Sequence, residues 1–272
     1  WGLGIGDWGL GIGDWGLDSS TNNHMVIYEN TAPAVDVSCA GMSDPTKNKA
    51  VTVSVDDGER SIGAKSVSIK LLDSEGKAAD DALSIDGDLP EGFKFENGTY
   101  SRTQEDIPDS IESAGKFRSF TAKFLINGEN LELTGDCKLI ATATDYLGNT
   151  SEEKEWTLVF DNKSPEVSIT LEDDNKEKHT VDGIQYSNAS DEDELKITIT
   201  DQYLGHKDSE GKSGEYSAVL YDAENTEIDR KDLDLENITG GTADIVFTHD
   251  ELKKNEDGKI TVKVTAKDYA GS

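Results

Sequence analysis

The chain is poor in the residues that metal, redox and nucleotide chemistry require. It has two cysteines and four histidines among 272 residues. The histidines are scattered, without the spacing of a zinc site or of a nucleophile and its base. No phosphate-binding glycine motif follows a predicted strand. The sequence therefore predicts no catalytic residues and a protein that is not an enzyme.

Basic side chains and long apolar runs are also scarce. Twenty-six Lys and Arg stand against 56 Asp and Glu, which gives a net charge of −30 and a pI near 4.3. Because so acidic a surface repels phosphate, neither nucleic acid nor an anionic membrane is an expected partner. Only 34% of the residues are hydrophobic, and no run has the roughly 18 apolar residues of a membrane span. We therefore expect no membrane insertion of this part of the protein.

Residues 1–17 form a repeat of WGLGIGD that holds seven of the 26 glycines. Three copies of the base sequence TGGGGAT, read through all three frames, encode one WGLGIGD unit. We therefore interpret residues 1–25 as a low-complexity tail, either a translated DNA repeat or a cloning-derived segment. So much glycine costs too much backbone entropy for a stable element to form alone, which predicts a flexible tail.

An internal repeat organises the rest of the chain. The segment 26–38 matches 158–170 position for position in character, and each match places a proline, Pro33 or Pro165, just before a strand. A second pair of segments, 141–149 and 264–272, shares an Asp-Tyr-x-Gly turn. Each repeat has about the length of a small β-sandwich. The sequence predicts domains over 26–162, with an insertion at about 83–115, and over 163–272.

Strand patterns dominate both repeats, and no stretch has a convincing helical period. Apolar and polar residues alternate, and Asp-Gly, Asn-Gly and Gly-Gly pairs separate the runs. The predicted fold is all-β, two tandem sandwiches, with a short helix or a long loop in the insertion. The predicted strands are 34–39, 50–55, 66–72, 117–126, 137–144 and 155–160, then 166–171, 194–200, 216–221, 243–248 and 260–266.

These landmarks resemble the tandem immunoglobulin-like repeats of bacterial surface proteins. The likeness covers residues 26–272 and includes an acidic residue at the end of the second strand, matched by Asp56 and Asp201. Ser272 stands where the first unit has Asn149. The resemblance implies an extracellular protein, secreted or attached to the cell wall, whose partners are neighbouring repeats. The turn residues that define the repeat are Asp145, Gly148 and Asn149, then Asp268 and Gly271.

The boundaries of the two repeats do not coincide with the two ends of the sequence. The segment 155–160 has the pattern of a final strand for the first unit, and the second unit has no counterpart. Conversely, 26–28 resembles the end of such a strand. We therefore expect the natural chain to extend in both directions, and we expect an unpaired edge beside 260–266 that a neighbouring chain could cover.

Cys39 and Cys137 each share the parity of the apolar residues in their strands, which directs both toward the first core. In an immunoglobulin-like strand order the two positions lie at one end of the sandwich, which allows a disulfide. Such a bond would stabilise the fold by about 4–5 kcal/mol and would suit an extracellular protein. Two buried thiols that pack as small apolar groups are the alternative.

Acidic loops make a structural calcium ion the candidate cofactor, since Ca²⁺ takes six to eight oxygen ligands. Asp161 and Asn162 lie at the predicted domain junction, and loops bring Asp56, Asp57 and Asp145 as further candidate ligands. No segment has EF-hand spacing. A run of acidic residues is also typical of a solvated surface, and this interpretation stays open.

Two functions remain. The first is a non-catalytic stalk or spacer of a bacterial surface or secreted protein, kept soluble by its charge. The second is an adhesin or carbohydrate-binding accessory module that contacts a host protein or glycan through the segments 83–115 or 201–214, because long loops on a rigid scaffold often carry recognition.

Overall fold

The computed structural model confirms an all-β chain. It describes residues 10–13, 23–26, 29–59, 61–104, 116–172, 179–181, 184–186, 193–236, 238–253 and 259–271. The chain divides into two compact units, one of residues 1–43 and 48–158 and the other of residues 44–47 and 159–272. Within the described ranges, no helix has the length and apolar character needed to cross a bilayer.

Nineteen strands are described. In the first unit they are β1 (Leu10–Gly13), β2 (Asn23–Val26), β3 (Ala34–Cys39), β4 (Asn48–Asp56), β5 (Ala64–Leu72), β6 (Leu83–Ile85), β7 (Phe93–Glu96), β8 (Thr99–Arg102), β9 (Ser119–Asn127), β10 (Gly135–Asp145) and β11 (Lys154–Phe160), whose last two residues belong to the second unit. The others are β12 (Glu166–Glu172), β13 (His179–Val181), β14 (Ile184–Tyr186), β15 (Glu194–Thr200), β16 (Glu215–Tyr221), β17 (Glu227–Asp232), β18 (Thr242–Phe247) and β19 (Thr261–Lys267).

The first unit contains a five-stranded sheet, β11-β10-β5-β8-β7, and a four-stranded sheet, β3-β4-β9-β6. The alternation seen in the sequence decides which side chains lie inside, because successive residues of a strand point to opposite faces. Val53, Leu71, Phe124 and Leu139 are among the buried residues. The Phe124 ring packs edge-on against the Phe95 ring at 5.4 Å between centroids. Two apolar sheet faces thus form one core.

The second unit has two three-stranded sheets, β12-β15-β18 and β17-β16-β19. Its core contains Ile197, Ile199, Leu220 and Phe247. A single helical turn, α1 (His249–Leu252), follows β18 and begins with a capping box. The two central strands, β15 and β16, each lie in the middle of a sheet, so they position the loops that extend from their ends.

The structure differs from the sequence-based expectation in three places. The insertion at 83–115 contains strands β6, β7 and β8 and not only a loop, and its residues 105–115 lie outside the described part. β17 went unpredicted because its sequence, EIDRKD, is almost entirely charged. The tail was expected to form no stable element alone. In the structure β1 pairs with β2, and the hydrogen bonds between these two segments offset the loss of backbone entropy.

The two cysteines are free thiols in the structure, so the disulfide is not formed. Cys39 donates its S–H to the carbonyl of Ala40 at 3.4 Å, at the turn after β3. Cys137 is fully buried and accepts a hydrogen bond from the backbone of Ser74, at the turn after β5. Burial raises the pKa of Cys137 to about 11. The alternative of two thiols is therefore the arrangement present.

Alkylation of the native protein should reach Cys39 well before Cys137. Burial removes Cys137 from solvent and disfavours its thiolate, which is the reactive form. Iodoacetamide labelling followed by peptide mass analysis measures the two rates, and labelling after unfolding in urea without reductant should modify both residues. Unmodified cysteines in that unfolded sample would reveal a disulfide and contradict the structure.

Candidate metal centres

Three carboxylates meet at one end of the first unit. Glu29 precedes β3, Asp57 follows β4, and Asp145 ends β10. One oxygen from each lies within 4.8 Å of the others. β4 and β10 belong to different sheets, so this cluster joins both sheets of the sandwich at the point where the chain enters it.

The repeat-defining turn holds Asp145 in place. Its Oδ1 accepts hydrogen bonds from the backbone N–H groups of Leu147 and Asn149, both at 2.8 Å. Its Oδ2 accepts another from the Asn149 side chain at 2.7 Å. Gly148 has φ of +87°, a conformation that glycine adopts at no steric cost. The Asp-x-x-Gly-Asn pattern therefore fixes the direction of a buried carboxylate as well as the turn.

The loop after β4 supports the other two carboxylates. Glu29 accepts a hydrogen bond from the N–H of Ile62 at 3.0 Å, and Asp57 Oδ2 accepts one from Gly63 at 3.1 Å. A Cβ at Gly63 would lie 2.7 Å from the Phe117 carbonyl oxygen, so only glycine fits here. The second oxygen of Asp57, Oδ1, is buried without a hydrogen-bond partner among the described residues.

Burial and mutual repulsion disfavour ionisation in this cluster. Burial, together with the carboxylates of Glu29 and Asp145, raises the pKa of Asp57 to about 7, although hydrogen bonds from Ser61 and Gly63 oppose the shift. Burial and Asp145 also raise the pKa of Glu29. At neutral pH an acid with such a pKa is partly protonated and partly ionised, and the ionised form is the one that binds a metal ion.

The second unit contains a matching cluster. Asp161 follows β11, Asp201 follows β15, and Asp268 follows β19. One oxygen from each again lies within 4.8 Å of the others, and all three residues are buried. Asp161 is only 1% exposed. The cluster therefore lies inside the protein and is not a solvated acidic surface.

Two carboxylates of this second cluster accept a hydrogen bond from the backbone two residues further along the chain. Asp201 Oδ1 accepts from the N–H of Tyr203 at 2.7 Å, and Asp161 Oδ1 accepts from Lys163 at 3.3 Å. Asp161 Oδ2 is buried and accepts no hydrogen bond from the part of the chain that the structure describes. Leaving a buried carboxylate oxygen unsatisfied is costly, so this atom calls for a ligand.

The same physical causes shift the pKa values here. Burial, with the carboxylates of Asp201 and Asp268, raises the pKa of Asp161 to about 6. Burial and Asp268 raise the pKa of Asp201. Burial raises the pKa of the Tyr216 hydroxyl, and the nearby carboxylates of the cluster raise it further. Its O–H is thus kept protonated beside the cluster.

The two clusters occupy equivalent positions of the repeat. The alignment of 26–38 with 158–170 places Glu29 on Asp161. Ala34 pairs with Asp56 across β3 and β4, as Glu166 pairs with Thr200 across β12 and β15, so the next residues, Asp57 and Asp201, correspond. Asp145 and Asp268 begin the same turn. Carboxylates therefore occupy equivalent positions in the two units, although the units differ widely in sequence.

A divalent cation suits both arrangements. Oxygens that share one Ca²⁺ at 2.3–2.6 Å lie at most about 5 Å apart, and the cluster oxygens satisfy this limit. Three carboxylates supply hard, anionic oxygen ligands, which Ca²⁺ prefers over the nitrogen and sulfur donors that zinc takes. Asp57 Oδ1 and Asp161 Oδ2 are the atoms with unused capacity to bind it.

The structure distributes the predicted ligands differently from the sequence-based expectation. Asp57 and Asp145 belong to the first cluster, whereas Asp161 belongs to the second. Asp56 is exposed, and its Oδ1 accepts from the N–H of Gly58 at 2.9 Å, which makes it a turn residue. Asp56 is therefore not a member of either carboxylate cluster. The Asn162 side chain donates to the Lys47 carbonyl at 3.4 Å.

Sequence reasoning missed Glu29, Asp201 and Asp268 as ligands. The signal was present in the repeat, because the alignment already placed Glu29 opposite Asp161 and Asp268 opposite Asp145. Asp201 was assigned to the end of the second strand but was matched with Asp56. The one-residue difference is decisive, since neighbouring residues at a strand end point to opposite faces.

No protein-family model matches the sequence, and no curated protein matches it. Solved structures similar to this chain include the C-terminal domain of the Streptococcus pyogenes antigen I/II-family protein AspA, at 11% identity and a TM-score of 0.34, covering 84% of this chain and 87% of that one. A chain described as BspA_C_WT has 13% identity and a TM-score of 0.30, covering 82% and 85%. A DUF4785 family protein from Legionella pneumophila has 11% identity and a TM-score of 0.27 over 91% of this chain, which spans 56% of that one.

Proposed function

We propose that this chain is a non-catalytic spacer of a secreted or surface-attached bacterial protein, in which a structural calcium ion stabilises each unit. The observation that carries the proposal is the pair of carboxylate clusters at equivalent positions, partly buried in the first unit and buried in the second. The tandem immunoglobulin-like pattern of the sequence and its net charge of −30 support an extracellular spacer. Neighbouring repeats are its proposed partners in the natural protein.

The geometry explains what the ion would do. In the first unit, Asp57 extends from one sheet and Asp145 from the other, while Glu29 precedes the first strand. Without a cation, the ionised carboxylates of this cluster repel one another across the ends of the two sheets. A bound divalent ion converts that repulsion into a shared attraction and ties the two sheets to the entering chain.

The mechanical consequence can be measured by pulling the protein between its ends. In an optical-trap or force-microscopy experiment, Ca²⁺ should raise the unfolding force of both units relative to chelator, because the ion would join residues at the ends of strands from two sheets. Asp57→Asn should remove the increase in the first unit only, and Asp161→Asn in the second only. Equal forces in calcium and chelator would contradict a load-bearing role for the ion.

A binding module is the second candidate, and one observation favours it. The second unit has an open cavity of about 490 Å³ on one sheet, which is within the size range of small-ligand sites. A glycan array tests this function, with Arg230→Ala as the variant that should lose binding. The residues that line the cavity include Tyr216, Arg230, Asp232, Leu233, Leu235 and Thr265.

A further inference from the structure

Tyr216, on the central strand β16, carries a buried hydroxyl group without a hydrogen bond. The residue is 6% exposed, and its ring packs in the core of the second unit. The N–H of Gly205 approaches the phenol oxygen, yet no described residue meets the hydroxyl with hydrogen-bond geometry. Burying a hydroxyl without a partner is costly, so the group requires a reason to be there.

The strand register places this hydroxyl at the end of the sandwich that holds the second carboxylate cluster. Glu215 pairs with Lys267, so the start of β16 lies beside the end of β19 and beside the residue that follows it, Asp268. The Tyr216 ring turns back toward that start, because a Cβ added at Gly214 would lie 2.5 Å from the hydroxyl oxygen. The phenol thus fills the space beside Gly214 and points toward the cluster.

The hydroxyl and the carboxylates are chemically complementary. Burial raises the pKa of Tyr216, and the carboxylates of Asp201, Asp268 and Asp161 raise it further, which keeps the phenol protonated at neutral pH. A protonated phenol is a hydrogen-bond donor, whereas an ionised carboxylate only accepts. The cluster is therefore faced by a donor whose hydrogen has no acceptor among the described residues.

The first unit has an apolar residue at the equivalent position. On β10, Ala143 lies two residues before the repeat-defining turn and pairs with Val67 on β5. On β19, Ala266 has the same place in the repeat and pairs with Tyr216. Val67 is fully buried, and its side chain has no polar atom. The core position itself therefore does not require a hydroxyl, which associates the Tyr216 oxygen with the chemistry of the second cluster.

We propose that Tyr216 is a positioning residue of a calcium site in the second unit, an inference that rests on the calcium function proposed above. A bound ion would draw the carboxylates of Asp161, Asp201 and Asp268 toward one centre. The Tyr216 hydroxyl would then donate to a carboxylate oxygen that ligates the ion. Such a hydrogen bond fixes the orientation of a ligand, and its loss typically weakens metal binding about 10- to 100-fold.

The test measures calcium binding to the second unit by isothermal titration calorimetry of the full chain. Asp57→Asn is present throughout, so that the first unit contributes little to the signal. In this background Tyr216→Phe should weaken calcium binding at least about tenfold. Tyr221→Phe is the matched control on the same strand, because Tyr221 pairs with Thr261 at the opposite end of β19, and it should bind calcium with unchanged affinity.

Thermal unfolding separates positioning from simple packing. In EGTA, Tyr216→Phe should leave the midpoint of the second unit unchanged or raise it, because the deleted hydroxyl has no hydrogen-bond partner among the described residues. In saturating calcium the same variant should unfold roughly 4 °C or more below the parent, since a tenfold weaker ligand stabilises the folded state less. An equal loss of stability in both solutions would assign Tyr216 to the core and overturn the proposal.

The titration distinguishes failure of this inference from failure of the calcium function. Equal calcium affinities of Tyr216→Phe and its parent would overturn the positioning role and leave the calcium site standing. No calcium binding by the Asp57→Asn protein would overturn the site in the second unit, and the role of Tyr216 with it. In an Asp161→Asn background, Tyr216→Phe should leave calcium binding by the first unit unchanged, and a weaker affinity there would contradict a role confined to the second cluster.

Discussion

Adding Ca²⁺ to metal-free protein should raise the thermal unfolding midpoint by roughly 10 °C or more. A ligand that binds only the folded state at about 1,000 times its Kd stabilises that state by about 4 kcal/mol, and a shift of this size follows for units of this length. The physical reason is that each ion would neutralise three clustered carboxylates, partly buried in the first unit and buried in the second, that otherwise repel one another. Differential scanning calorimetry in calcium and in EGTA makes the measurement.

Single substitutions assign the effect to each unit. Asp57→Asn should reduce the calcium shift of the first unit, and Asp161→Asn that of the second, because each removes one anionic ligand. Asp56→Asn is the matched control: it lies next to Asp57, loses the same charge, and has its side chain outside the cluster. A calcium shift that survives both cluster substitutions would refute the assignment of the ligands.

In EGTA, the free energy of unfolding should fall as pH rises from about 4 to about 7. Burial raises the folded-state pKa of Asp57 to about 7 and that of Asp161 to about 6, above an ordinary value of 3.8. Between those limits the folded state binds more protons than the unfolded state, so removing protons destabilises it. At about 1.4 kcal/mol for each pKa unit, the loss is about 4 kcal/mol for Asp57 in the first unit and about 3 kcal/mol for Asp161 in the second.

Urea unfolding at pH 5 and pH 8 measures the part of this loss that falls above pH 5, about 3 kcal/mol for Asp57 and about 1.4 kcal/mol for Asp161. Asp57→Asn should flatten the pH dependence of the first unit, whereas Asp56→Asn should retain it and so control for the repulsion of the whole acidic surface. Calcium should reverse the trend, because the deprotonated clusters bind the ion more tightly. A protein that becomes more stable between pH 5 and pH 8 in EGTA would rule out the raised pKa values.

The repeat allowed much of the fold to be predicted, because strand alternation and turn residues are local signals. The strands around Val53 and Ile199 follow directly from that alternation. Strand alternation did not predict β17, because its sequence EIDRKD has no apolar pattern and forms a strand through its pairing with β16. Non-local pairing overrides weak local preference in such edge strands.

The candidate sites were predictable in part for the same reason. Asp57, Asp145 and Asp161 were predicted as candidate calcium ligands from their places in loops, and the structure places them in two separate carboxylate clusters. Which loops meet depends on the packing of the two sheets, and composition does not encode that distance. Whether Asp56 or Asp57 joins the cluster depends on the register at the end of β4, because a shift of one residue would exchange the faces to which they point.

Glu29 and Asp161 precede the prolines that mark the start of each repeat, yet each completes the cluster of the unit that follows. The complete repeating unit therefore begins before these acidic residues and not at Pro33 or Pro165. A duplication or recombination event that cut the gene at Pro165 would transmit a unit with two of its three carboxylates. A breakpoint upstream of Asp161 would keep all three carboxylates in one unit.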